Sequence, residues 1–281
     1  MKTTTNTATK RPRVAVAIQA RSDSRRLPLK VLRRLDAGRD GERVTMLRAV
    51  WQRAYAAAVS EDEPQIIIPH CDRALSGWLR GCYGAAAWWE DPRPDKGYDV
   101  LGRYVEWADG ERLADGDWIV RLTADCPLVP PDEVARVVDA ALDADTGVAL
   151  VANCWGTHRT VYDGWDVEVM RVGWLRRAHK EQRDSGGRQH VTWAAHDCIG
   201  GTAIHVGRPP EMAAYPDEEP WAVKLSVDTQ DDYDRVSRLA GMATAGCVPG
   251  VTSMWRRVDQ LAVLGYAAGQ HAPTASAGAE S

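Results

Sequence analysis

Short apolar runs alternate with stretches of helical period along the first half of the chain. Val14–Ala20 is an apolar run broken only by Gln19, which predicts a buried strand. Thr45 then stands where a helix N-cap belongs, and Leu47, Val50, Trp51, Ala54 and Ala58 recur on one helical face. Ile66–Ile68 predicts a second buried strand, and Ala85–Trp88 a third. Val100, Leu101, Tyr104, Val105 and Ala108 form another helical stripe. Trp118–Thr123 reads as a strand. Pro131 and Asp132 then open a helix that turns Val134, Val137, Val138, Ala141 and Leu142 inward. Val148–Ala152 is again a strand. This β-α-β-α-β-α-β order predicts a parallel sheet with helices on both faces.

The pattern loosens after residue 152. Gly164–Met170 and Gly201–Val206 predict strands of a less regular layer. Trp221, Val223, Leu225 and Val227 alternate with Ala222, Lys224 and Ser226, which predicts a half-buried strand. Residues 230–243 and 252–266 have helical period. No repeat and no Pro/Gly/Ser linker divides the chain. The expectation is one α/β domain over residues 13–267, with a mostly parallel central sheet. Residues 153–215 form a smaller inserted lobe and residues 248–267 a C-terminal helix. Residues 1–12 and 268–281 read as loose tails.

Composition narrows the class. The chain has 281 residues, 44% hydrophobic and 26% charged, which is a globular balance rather than that of a disordered chain. A net charge of −4 gives no support to nucleic-acid binding. Residues 1–12 lack the apolar region of a signal peptide, and no apolar run is long enough to span a bilayer. The expectation is a soluble, cytoplasmic protein with no membrane partner. The 6 Cys are scattered without a C-x-x-C, so neither a disulfide framework nor a structural zinc site is expected. There are 12 Trp, 8 Tyr and no Phe, so every large ring carries a polar handle. Trp51 and Trp118 fall on apolar faces and should be core. Trp165, Trp155 and Trp193 fall where a ligand could reach. The stripe Val258, Leu261, Ala262 and Gly265 would suit the interface of a homodimer.

In an open parallel sheet, ligands bind at the carboxyl ends of the strands. After the first strand comes Arg21-Ser-Asp-Ser-Arg-Arg-Leu-Pro-Leu-Lys30, with 4 cationic residues. It lacks the glycines of a P-loop, yet Arg and Lys at such a turn can hold phosphate oxygens. A solvated basic loop would look the same. Asp125 follows the strand Trp118–Thr123, and Asp228 follows Trp221–Val227. Either could hold Mg²⁺, which takes one or two protein carboxylates plus substrate phosphates. Either could instead order its own turn, since Thr229 with Asp232 resembles a helix cap. Together, a basic turn and two strand-end carboxylates suit a nucleoside triphosphate with Mg²⁺. His190 and His196 lack the spacing of paired helical zinc ligands. Asp143-Ala-Asp145 matches a metal-binding DxD only in letters, because it falls at a helix end.

The opening motif Ile18-Gln-Ala-Arg-Ser-Asp-Ser-Arg-Arg-Leu-Pro-Leu-Lys-Val-Leu32 resembles that of the cytidylyltransferases that activate acidic sugars. The nearest branch is that of the spore coat polysaccharide biosynthesis protein F, with the CMP-KDO and CMP-sialic acid (acylneuraminate) synthetases more distant. Further blocks match in order: Tyr98–Tyr104, Val120–Leu128, Asp163–Val169, Arg188–Thr192 and Leu225–Asp232. The resemblance implies a glycosyltransferase A-like nucleotidyltransferase fold. It implies Mg²⁺-dependent transfer of CMP from CTP to a sugar or sugar-like acid, with release of pyrophosphate, for polysaccharide or glycoconjugate biosynthesis. Ala20, Arg21, Ser24, Arg26, Lys30 and Asp72 would bind the nucleotide, with Arg21 and Lys30 catalytic. Asp125 and Asp228 would hold the metal. Asp166, Glu168, Arg188, His190 and Trp165 would face the acceptor, in the lobe over 153–215. A glycosyltransferase of related fold and a non-catalytic nucleotide-binding relative are the alternatives.

Several positions depart from that pattern. Asp23 and Leu29 stand where such proteins usually carry a small residue and a glycine. Asp23 should need Arg25 or Arg26 as a partner, and Leu29 removes backbone freedom beside Lys30. Gly102 replaces a commonly acidic position. Ile68-Pro69-His70-Cys71-Asp72 replaces the usual Ala-Thr-Ser-Asp near the base.

Overall fold

The first apolar run forms strand β1, Val14–Gln19, near the middle of a seven-stranded sheet. The structure is a computed structural model that describes residues 11–38, 42–94, 98–155, 158–193, 201–209 and 224–245. A single 3₁₀ turn, Lys30–Leu32, and a small hairpin of β2 (Arg34–Leu35) and β3 (Val44–Thr45) lead into α1, Met46–Ala56. As its sequence predicts, Thr45 caps α1 by accepting from the Arg48 N–H at 3.2 Å, a contact worth about 1 kcal/mol. There follow β4 (Gln65–Ile68), α2 (Arg73–Cys82), β5 (Trp88–Glu90), α3 (Val100–Gly110), β6 (Trp118–Thr123), α4 (Pro131–Leu142) and β7 (Val148–Ala152). The third predicted strand begins later than expected, because Ala85–Ala87 is a 3₁₀ turn and the strand starts at Trp88.

Alternation along the strands decides the layering. Val16 and Ile18 of β1 and Trp118, Val120 and Leu122 of β6 face a core made with Leu47 and Val50 of α1, Leu79 of α2 and Val134 and Val137 of α4. Ala15, Ala17 and Ile119 face the opposite core, made with Leu101 and Tyr104 of α3 and Trp174 and Leu175 of a later helix. Helices therefore cover both faces, as expected. Trp118 is buried in the core, while Trp51 is half-buried and stacks on Tyr55.

The second half supplies the hairpin β8 (Cys154–Trp155) and β9 (His158–Arg159), then β10 (Glu168–Arg171), α5 (Val172–Glu181), α6 (Ser185–Gln189), β11 (Thr202–His205) and α7 (Gln230–Ala245). Two of these strands belong to the central sheet, whose order is β11-β7-β10-β6-β1-β4-β5. Part of the stretch 153–215 is thus built into the sheet rather than set apart from it. β10 runs antiparallel to β6 and β7, and the remaining neighbours are parallel. The sheet is mostly parallel, not wholly so.

The expected strand over Trp221–Val227 does not form across its described part. Lys224 makes only an isolated bridge to Asp163. The N–H groups of Leu225 and Ser226 both donate to the Asp163 carbonyl, so the segment is spent on the turn that precedes β10. Gly164 sits in that turn at a φ of 107°, with Leu225 backbone packed where a Cβ would stand. Residues 221–223, His196, the C-terminal helix over 248–267 with its apolar stripe, the tail over 268–281 and most of the N-terminal tail lie outside the described residues. No described helix is long and apolar enough to cross a membrane.

The chain leaves β1 for β4 and β5 on one side and returns to β6 on the other. The strand order therefore reverses between β1 and β6, and the crevice at their carboxyl ends is where such a sheet binds ligands.

Candidate active site

The crevice is a cleft of about 730 Å³ at those strand ends. The loop after β1 supplies Ala20, Arg21, Ser24, Arg26 and Lys30; the other side supplies Arg121, Thr123 and Asp125 from β6 and its turn; Asp228 and His190 complete the wall. The structure thus brings together most of the residues singled out from sequence for triphosphate and metal.

Lys30 is the hub. Its Nζ lies 2.8 Å from Asp125 Oδ2, 3.1 Å from Asp228 Oδ1 and 2.7 Å from the Val227 carbonyl oxygen. The turn that delivers it is strained, because Leu29 has φ 55° and ψ 23°, the left-handed region. Burial disfavours the Lys30 charge, but Asp125 and Asp228 outweigh it and hold its pKa above the usual value. Desolvation likewise works against the two carboxylates and loses. The Asp125 carboxyl is held below its ordinary value by Lys30. Asp228 is pulled down to about 2 by Lys224 and Lys30. Arg26 also reaches Asp228, at 2.9 Å. Asp23 finds Arg21 at 3.7 Å, rather than Arg25 or Arg26.

Asp72 stands apart from the other residues expected at the nucleotide. It does not line the cleft. Its oxygens accept from the Ser22 N–H at 2.7 Å, the Ser22 hydroxyl at 2.6 Å and the Leu75 N–H at 3.1 Å, so it caps α2 and pins the basic loop.

The residues expected to face an acceptor divide. His190 lines the cleft and stacks on Trp193 at 4.3 Å between ring centroids. Burial, followed by the nearby Arg121, lowers its pKa, which favours the neutral ring. Glu168 lies across β10 from Arg121 of β6, forms an ion pair with it, and accepts from the Thr192 hydroxyl at 2.6 Å. It shapes the cleft through Arg121. Asp166 pairs with Arg159, and its carboxyl is raised above its ordinary value because burial exceeds the help from Arg159. Arg188 is turned away. It binds Asp99 at 2.7 Å and the carbonyls of His179 and Gln182 at 3.2 and 3.0 Å, so it ties α6 to the start of α3. Trp165 is buried with Val161, Tyr162, Leu225 and Leu239, and no cleft surface belongs to it. The Trp155 side chain lies outside the described residues.

Several cleft residues escaped the sequence, Arg121, Tyr98 and Arg103 among them. Arg121 stands inside a strand where alternation predicted only pattern. Tyr98 and Arg103 fall in a matching block without being assigned a role. Gly102, beside them, is explained by packing: a Cβ there would collide with the Arg93 guanidinium and the Asp99 carboxylate, which hold each other at 2.9 Å.

The two carboxylates converge on one point, the Lys30 Nζ. Among the described residues no group of three or more His, Cys, Asp or Glu could hold a metal. Two carboxylates with room for phosphate oxygens is the donor set that Mg²⁺ accepts, so the residues fit.

No protein-family model matches the chain. It is 34% identical over 157 residues to the 3-deoxy-manno-octulosonate cytidylyltransferase of Thioalkalivibrio sulfidiphilus (strain HL-EbGR7), a match covering 56% of each protein. The chain thus spans about half the length of that curated relative. Its fold is similar to that of a cytidylyltransferase from Leptospira borgpetersenii serovar Hardjo-bovis (strain JB197), with a TM-score of 0.68 at 18% identity over 94% of this chain and 99% of the other. It is also similar to a CMP:2-keto-3-deoxy-manno-octonic acid synthetase solved with CTP, with a TM-score of 0.53 at 15% identity over 82% of this chain and 99% of the other. The chain has the fold of the cytidylyltransferases, as its motifs imply.

Proposed function

We propose that this protein is a metal-dependent cytidylyltransferase that moves CMP from CTP to a sugar or sugar-like acid and releases pyrophosphate. The observation that carries this is the meeting of Lys30, on a basic loop, with Asp125 and Asp228, from two other elements, in one cleft. The sequence similarity to a CMP-sugar-acid-forming enzyme supports the choice of cytosine and of an acidic acceptor.

In this reading Arg21, Arg26 and Lys30 take the triphosphate oxygens, Lys30 as a point charge and each Arg able to bind two oxygens. An acceptor hydroxyl oxygen attacks the α-phosphorus in line, its proton passes to solvent, and the bond from the α-phosphorus to the oxygen bridging to the β-phosphate breaks, so that pyrophosphate leaves. The protein supplies position and charge rather than a covalent intermediate. Asp125 and Asp228 would hold Mg²⁺, which neutralises phosphate charge when bound. His190 and the Arg121–Glu168 pair border the space left for the acceptor. Work on CTP is compatible with the cytoplasm, and a product of this kind feeds polysaccharide or glycoconjugate assembly.

The test is thermal stability titrated against CTP, UTP, ATP and GTP with Mg²⁺, then pyrophosphate release with a panel of sugar acids. A ligand at a hundred times its dissociation constant adds about 2.7 kcal/mol, so CTP should stand out. Asp125→Asn should cut turnover about a hundredfold or more. Stabilisation by a sugar nucleotide but not by CTP would refute the assignment.

A further inference from the structure

The point at which Asp125 and Asp228 converge is taken by a cation of the protein's own. We propose that Lys30 is the resident counter-ion of these two carboxylates, so that a divalent cation binds there only together with the nucleoside triphosphate, which draws the ammonium away. The nucleotide half of this rests on the function proposed above.

Lys30 has three N–H donors, and the structure gives each an acceptor: Asp125 at 2.8 Å, Asp228 at 3.1 Å and the Val227 carbonyl at 2.7 Å. Its side chain is only 9% exposed, so this is a seat and not a passing surface contact. Asp228 is held from further sides. Arg26 reaches the same oxygen at 2.9 Å, and Lys224 takes the other oxygen at 3.0 Å. Lys224 also meets Asp163 at 3.3 Å. Asp163 also meets Arg159 at 3.8 Å, and Arg159 pairs with Asp166, so Arg26, Lys30, Lys224 and Arg159 balance Asp125, Asp163, Asp228 and Asp166 within this described cluster.

A balanced cluster offers a free divalent ion no excess of negative charge. The ion would also stand a few ångströms from an ammonium, where like charges repel strongly outside bulk water. A triphosphate changes both terms. Its oxygens give Lys30 and Arg26 new charge-assisted partners, and its charge travels with the metal. Metal and nucleotide then raise each other's affinity by the same factor, as linkage requires.

The experiment follows free Mn²⁺ by its paramagnetic resonance signal as protein is titrated, with and without CTP, and subtracts the Mn²⁺ that CTP binds without protein. Wild type should bind Mn²⁺ at least about tenfold more tightly with CTP than without. Lys30→Gln should bind Mn²⁺ without CTP at least about tenfold more tightly than wild type, while Lys30→Arg, which keeps the charge, should not. Adding Asp125→Asn to Lys30→Gln should erase the gain. Circular dichroism checks that each variant is folded, and Lys30→Arg with wild type carries the test if Lys30→Gln does not fold. A folded Lys30→Gln with no gain would overturn the proposal, as would, where Lys30→Gln does not fold, wild type or Lys30→Arg binding Mn²⁺ without CTP as tightly as wild type does with it. A gain in Lys30→Gln with no effect of CTP on either protein would uphold the counter-ion and refute the choice of nucleotide.

Discussion

Asp72 accepts both the backbone N–H and the hydroxyl of Ser22, at 2.7 and 2.6 Å, although the two residues stand 50 positions apart. One carboxylate thus anchors the start of the basic loop while capping α2. Loops carry ligand contacts well only when a scaffold fixes them.

Asp72→Ala removes the cap and both Ser22 contacts. A cap and hydrogen bonds to a charged group together predict a loss of roughly 2–3 kcal/mol. On the function proposed above, the KM for CTP should rise more than kcat falls, because Asp72 holds the basic loop in place without touching the reacting atoms. Asp72→Asn keeps one acceptor oxygen and should fall between. Urea unfolding and steady-state kinetics check both parts. An unchanged KM in a folded Asp72→Ala would show that the loop holds its shape unaided.

Leu29 predicts the opposite sign. It holds a left-handed conformation at φ 55° and is 45% exposed, so its side chain returns little burial for the strain. That conformation costs a non-glycine residue about 1–2 kcal/mol, and glycine's greater freedom when unfolded takes back about 0.5–1 kcal/mol. Leu29→Gly should therefore stabilise the protein by about 0.5–1 kcal/mol, read as a higher urea midpoint with an unchanged slope. Ala at this position should give no such gain.

The layers were legible in the sequence because they rest on local period. Apolar residues two apart in β1 and three or four apart in α1, α3 and α4 land on the faces that the sheet and helices bury. That Arg21, Lys30 and Asp125 share a cleft was legible because Arg21 and Asp125 stand just past strand ends and Lys30 belongs to the same basic loop as Arg21. The surroundings of Arg188 and Glu168 were not, because their partners are remote in sequence. Nothing near Arg188 announces Asp99, 89 positions earlier, and nothing near Glu168 announces Arg121, 47 positions earlier. A charged residue in a matched block looks alike whether it meets a ligand or another part of the fold. The loss of the strand over 224–227 has the same origin, since Asp163 claims its backbone donors from outside the segment.

Acid stability should report the carboxylate cluster. Asp228 sits at about 2 in the fold against an ordinary 3.8, and Asp125 is also lowered. Between those values the unfolded chain binds protons that the fold refuses. Their contribution is therefore present above about pH 4 and is lost as pH falls towards 2. For Asp228 it is about 2 kcal/mol in order of magnitude. The stability gap between wild type and Asp228→Asn should be widest near pH 6 and should narrow by pH 3, measured by urea unfolding at each pH. A gap that stays constant across that range would mean that Asp228 gains nothing from Lys30 and Lys224.

Trp165 tests whether a ring in a matched block serves the ligand or the core. It is 5% exposed and meets Tyr162 edge-on at 5.1 Å between centroids. Its Nε1 is buried with no hydrogen-bond partner among the described residues. An unpaired buried N–H costs about 1–3 kcal/mol, so a ring without one recovers that cost while losing some packed volume. In a chain with no Phe at all, Trp165→Phe should therefore shift stability by less than about 1 kcal/mol, whereas Trp165→Ala should cost about 3–5 kcal/mol. The acceptor KM should be unchanged in Trp165→Phe. If the indole N–H instead reached the acceptor, that substitution would raise KM at nearly constant stability, and the ring would return to the site from which its burial removes it.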